Sequence, residues 1–99
     1  MYRKFIITLD GEIRFGTVYL HRDLLPAGDP ICFGGGLWEV DKERQCIILF
    51  GRSFDFGTPD FSYAKRINKT TFPGNLGYPL FYRRNHLGEE QLEPVLLGY

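Results

Sequence analysis

Cysteine, histidine and serine are scarce in this sequence, and it contains no long apolar run. The two cysteines, Cys32 and Cys46, are too few to staple a small scaffold and form no Cys-x-x-Cys pair. They are expected as reduced, buried thiols acting as small hydrophobes. The two histidines, His21 and His86, lie far apart and show no metal-ligand spacing, so neither a metal nor a cofactor is expected. Ser53 and Ser62 are the only serines. Neither sits in the Gly-x-Ser-x-Gly elbow of a hydrolase nucleophile.

No stretch approaches membrane-crossing length. The apolar residues after Arg3-Lys4 are broken by Thr8 and Asp10, too soon for a signal sequence. A soluble cytoplasmic protein without a membrane partner is therefore expected. The formal net charge is zero. That lacks the basic excess of a dedicated nucleic-acid binder, and it leaves self-association little opposed by charge repulsion.

Aromatic residues, by contrast, are plentiful: nine Phe, six Tyr and one Trp in 99 residues. A chain of this length fits a single domain, residues 1–99, with a small core. Large rings fill such a core efficiently, and the surplus is available for a surface patch or a dimer contact.

Residues 2–9 read as a strand, Asp10-Gly11 as a hairpin turn, and residues 12–20 as the returning strand, with Ile13, Phe15, Thr17 and Tyr19 on one face. Pro26, Gly28 and Pro30 then break the pattern, and Asp23-Leu24-Leu25 can form one helical turn. Gly34-Gly35-Gly36 signals a bulge or a close approach of backbones. Residues 37–40 and 45–51 read as a second hairpin around Asp41-Lys42-Glu43-Arg44. Cys46 to Phe50 is apolar throughout, which places it centrally, covered on both faces. Ile13-Arg14-Phe15-Gly16 and Ile48-Leu49-Phe50-Gly51 are alike, but too briefly to mark a repeat.

Thr58-Pro59-Asp60 carries the signals of a helix start, so a helix from about Pro59 to Ile67 is expected, with Lys65 and Arg66 at its C-terminal end. Residues 68–78, with Pro73-Gly74-Asn75, read as a loop and Pro79–Tyr82 as a short edge strand. Val95-Leu96-Leu97 docks on the body. The expected fold is thus α+β: a small antiparallel sheet of four to five strands (two hairpins plus an edge strand), closing at most to a partly open barrel, with one short helix.

His21-Arg22-Asp23 and Asp55-Phe56-Gly57 imitate two kinase signatures. The Asn required five residues beyond the first Asp is Gly28, and the glycine-rich loop and its lysine are missing. No catalytic constellation is assembled, so the leading expectation is a non-catalytic binding or protein-interaction domain, with a second copy or another protein as partner. Two alternatives have named residues. The first is a small enzyme or ligand-binding protein whose site lies around residues 51–60. Arg52, Ser53, Asp55 and Thr58 would form it, with His21 nearby and an anion met by free backbone N–H groups. The second is a nucleic-acid-binding module. Residues 61–88 contain Lys65, Arg66, Lys69, Arg83 and Arg84, no acid, and interleaved aromatics, a composition that can track phosphates and stack bases. The tail carries Glu89, Glu90 and Glu93, which can fold back on that patch.

Overall fold

The computed structural model describes residues 1–74, 77–86 and 88–98, with only the backbone of Asn85 and His86. The expected turn at Pro73-Gly74-Asn75 therefore lies partly outside the described residues. Seven strands follow one another: β1 (Tyr2–Ile7), β2 (Glu12–Val18), β3 (Gly35–Asp41), β4 (Cys46–Phe50), β5 (Arg66–Ile67), β6 (Leu80–His86) and β7 (Glu89–Pro94). They form one sheet in the order β5-β2-β1-β3-β4-β6-β7, curled into a half-barrel.

The first hairpin is closed by Asp10-Gly11. Gly11 has φ 86°, and the Thr8 amide donates to the Glu12 carbonyl at 2.8 Å. The Thr8 hydroxyl donates to the Asp10 carboxylate. The register pairs Phe5 with Phe15 and Ile7 with Ile13, so apolar side chains meet on one face. In the second hairpin Asp41 accepts from the Arg44 amide at 3.0 Å. The two hairpins join through β1 and β3, antiparallel at the centre of the sheet.

The antiparallel α+β expectation is wrong in three respects. The sheet has seven strands rather than four or five. It is mixed, because β5 runs parallel to β2 and β6 parallel to β4. No α-helix forms between Pro59 and Ile67. Asp60, not Thr58, caps a three-residue 3-10 turn, Phe61–Tyr63, accepting from the Ser62 amide at 3.1 Å. The chain then extends, because β2 offers edge carbonyls. Lys65 and Arg66 donate to Gly11 O at 2.8 and 3.2 Å, and Asn68 donates to Ile13 O at 2.9 Å. A lone nine-residue helix is too short to compete with such pairing. The expected edge strand at Pro79–Tyr82 is instead the start of β6, an interior strand flanked by β4 and β7.

Each hairpin thus adds a parallel strand on its outer side, and the sheet is approximately two-fold about the β1–β3 seam. The two similar tetrapeptides are one residue out of step in this symmetry: Ile13 and Phe15 face the main core, whereas Ile48 is buried on the opposite face and Leu49 takes the place equivalent to Ile13.

The main core lies on the concave face: Phe5, Ile7, Ile13, Phe15, Ile47, Leu49, Leu80 and Tyr82. Phe15 meets Trp38 and Phe72 edge-on, at ring separations of 6.2 and 5.5 Å. The C-terminal residues strap this face, with Val95 N bonded to Leu80 O and Gly98 N to Ala64 O, both at 2.9 Å. On the opposite face Ile6 and Ile48 are also buried, and a second 3-10 turn, His21–Leu24, packs there against β1 and β2. No helix among the described residues is long and apolar enough to cross a membrane.

Candidate functional site

Tyr2, Lys4, His21, Leu37, Arg52 and Phe54 line a recess of about 250 Å³. Each arrives from a different local cause. Tyr2 and Lys4 are alternate residues of β1 and so share a face. Lys4 lies opposite Leu37 in the β1–β3 register. Arg52 and Phe54 come from the loop that leaves β4.

His21 opens a turn that is closed twice over. Asp23 N donates to Leu20 O, and Leu20 N donates to the Asp23 carboxylate, both at 3.0 Å. The imidazole is only 5% exposed, and it lies against Gly35. A Cβ on Gly35 would stand 3.1 Å from the ring and 2.3 Å from the Phe5 carbonyl oxygen. A Cβ on Gly34, which has φ 88°, would stand 2.3 Å from Thr58 O. A Cβ on Gly36 would stand 2.4 Å from Phe50 O, so the close approach at the three glycines is made on three sides, by β1, by the end of β4 and by the chain after the 51–57 loop.

His21 Nε2 lies 2.8 Å from Gly36 O. A carbonyl only accepts, so Nε2 carries the proton and Nδ1 keeps its lone pair. Among the described residues Nδ1 has no protein partner, and no buried side-chain nitrogen or oxygen lacks one. Nδ1 is therefore not fully sealed from solvent. Burial pulls the His21 pKa below its ordinary value, the Gly36 carbonyl opposes that, the Lys4 ammonium adds to it, and Asp55 opposes it. The ring is neutral at pH 7.

The loop from Ser53 to Gly57 is held rigidly. Ser53 and Gly57 exchange two backbone bonds, at 3.1 and 2.9 Å, and the buried Ser53 hydroxyl accepts from Phe56 N at 3.1 Å. Asp55 reaches Arg22 at 3.1 Å, so the loop is joined to the turn that carries His21. Phe54 projects from the tip, fully exposed.

Of the ligand-site residues named from the sequence, the fold brings His21 and Arg52 into the recess. Asp55 and Ser53 hold its wall. Thr58 stands apart, in a depression it shares with Asp60 and Arg84. The 3-10 turn near it is too short to present the expected row of free amides. Lys4 and Tyr2 were missed. The available signal was a lysine at the centre of a strand, on the same face as the buried Ile6.

The five basic residues are divided. Lys65, Arg66 and Lys69 share a second cavity. Arg83 instead pairs with Glu39 at 2.8 Å and lies over the Phe50 ring. Arg84 pairs with Glu93 at 3.0 Å and lies over Tyr82. Cys32 and Cys46 are free and buried, and burial raises both thiol pKa values. Among the described residues no three metal-ligating side chains converge.

Fold and site together define a small half-barrel with a cationic recess floored by a neutral histidine. The chain belongs to the Janus/Ocnus family: the family model (Ocnus) matches residues 21–75, more than half of the sequence. The matched segment begins at His21 and contains Leu37, Arg52 and Phe54. No curated protein and no solved structure matches the chain.

Proposed function

We propose that the domain binds a small anionic group, a phosphate or a carboxylate, between Lys4, His21 and Arg52, with His21 Nδ1 as the proton acceptor at the floor. The observation that carries this reading is the Nε2–Gly36 bond. It fixes the tautomer and leaves the Nδ1 lone pair unclaimed in a recess shared with Lys4 and Arg52. Arg52 has no carboxylate within ion-pair distance among the described residues, and Lys4 donates only to Tyr19 O, at 2.7 Å. An anion would therefore meet donors that the fold leaves uncompensated. A protonated oxygen on that anion could donate to Nδ1. The exposed rings of Tyr2 and Phe54 would flank whatever body carries the charge.

Titration of the ¹⁵N-labelled protein with inorganic phosphate tests this. The expected result is a saturable shift of the His21 ring nitrogens, weakened about tenfold in Arg52→Ala, which loses one charge-assisted bond. A His21 signal indifferent to phosphate at every concentration overturns it. The rings of Tyr2, Tyr19 and Phe54, all largely exposed, favour a second reading, self-association through this rim. Light scattering that finds a monomer at all concentrations removes that reading.

A further inference from the structure

On the other face of the sheet, Lys65, Arg66, Ile67, Lys69, Phe72, Tyr78 and Leu97 line an open cavity of about 580 Å³. Its volume falls in the range of small-molecule sites. Its base is apolar: Ile67, Phe72, Tyr78 and Leu97 pack on the core while staying only partly buried, so each keeps a face towards the cavity. Its rim is cationic and unevenly compensated. Arg66 is taken by Asp10 and Glu12. Lys65 and Lys69 have no carboxylate within ion-pair distance among the described residues. The acidic tail does not supply one, because Glu93 pairs with Arg84, and Glu89 and Glu90 lie on β7 beside His86 and Asn85.

We propose that this cavity binds a small aromatic acid, its ring lying on Phe72, Tyr78, Ile67 and Leu97 and its anionic head between Lys65 and Lys69. The charge pattern separates this from a nucleic-acid track. A polyanion needs a row of free cations, and here two stand at the rim of one apolar base while Arg83 and Arg84 are paired elsewhere. An acid with a planar body matches both parts of the cavity. The site is independent of the His21 recess.

Naphthoate and its uncharged analogue naphthylmethanol are the probes, followed by amide and methyl shifts of the labelled full chain. Naphthoate is expected to shift Ile67, Phe72 and Leu97, to bind at least about tenfold more tightly than naphthylmethanol, and to lose that advantage in the double variant Lys65→Glu/Lys69→Glu. Both lysines are exposed, and the thermal midpoint of the double variant is expected to stay near that of the parent protein. Equal affinity for the two probes, full affinity in the double variant, or shifts confined to Lys4, His21 and Arg52 would each overturn the proposal. The last of these would at the same time support anion binding at the other site.

Discussion

The Arg22 guanidinium meets the Asp55 carboxylate at 3.1 Å, across 33 positions of sequence. This pair connects the turn bearing His21 to the loop bearing Arg52. The Arg22 side chain is 59% exposed, so the pair adds little to global stability, under about 1 kcal/mol. Its expected consequence is local. Asp55→Ala should leave the urea midpoint almost unchanged while amides from Ser53 to Gly57 exchange with deuterium faster. The exchanged pair Arg22→Asp/Asp55→Arg should restore protection. Unaltered exchange in Asp55→Ala would show that the backbone bonds between Ser53 and Gly57 hold the loop alone.

Gly35 should not tolerate alanine. The new Cβ would sit 2.3 Å from Phe5 O, a backbone atom in the central β1–β3 pairing, which cannot yield as a side chain does. Overpacking of this kind costs roughly 1–3 kcal/mol, and the His21 ring must move as well. Gly51→Ala is the control: its Cβ would meet nothing within 4 Å, and only the positive φ of 71° is strained, at roughly 1–2 kcal/mol. Urea unfolding should rank Gly35→Ala as the more damaging, and only that variant should displace the His21 ring resonances.

Sequence and structure agree where the information is local. Asp10-Gly11, the alternation of β2 and the apolar run of β4 each act within a few residues, and the paired strands are there. The three glycines were readable as close approach because nothing else tolerates backbone atoms that near. The segment 58–67 failed because its capping signals are also local, whereas its partners, the carbonyls of Gly11 and Ile13, are about fifty residues away. β7 was hidden for a different reason: Glu-Glu-Gln-Leu-Glu-Pro has the charge and proline of a protected edge and no alternation to mark it as a strand. In the site, His21 and Arg52 stood out by chemistry. Lys4 did not, because its place depends on the β1–β3 register.

His21 makes stability depend on pH in a definite direction. Its folded pKa lies below the ordinary 6.5, with burial the largest cause. The unfolded chain therefore takes up a proton near pH 6.5 that the folded chain refuses until lower pH. The unfolded state binds more protons in that interval, so stability falls as pH drops through 6.5 towards the folded value. Above pH 6.5 the full contribution is present. His21→Gln should flatten this part of the profile, as measured by urea unfolding between pH 5 and 8 (a range set by ordinary histidine titration). A parent protein whose stability rises on acidification through that range would contradict the assignment.

Tyr82 links the core to the recess. Its ring packs against Phe61 at 5.1 Å, and its hydroxyl donates to Gly51 O at 2.6 Å, the residue before Arg52. Burial raises the Tyr82 pKa above its ordinary value, so the hydroxyl stays a donor throughout the neutral range. Tyr82→Phe keeps the ring and removes only that donor, leaving the Gly51 carbonyl without it. The expected loss is about 1 kcal/mol, seen as a lower urea midpoint with an unchanged slope. Because Gly51 anchors the chain just before Arg52, phosphate affinity should fall in the same variant while the neutral tautomer of His21 persists. Loss of stability with phosphate affinity intact would mean that Arg52 is positioned by the Ser53–Gly57 bridge and owes nothing to Tyr82.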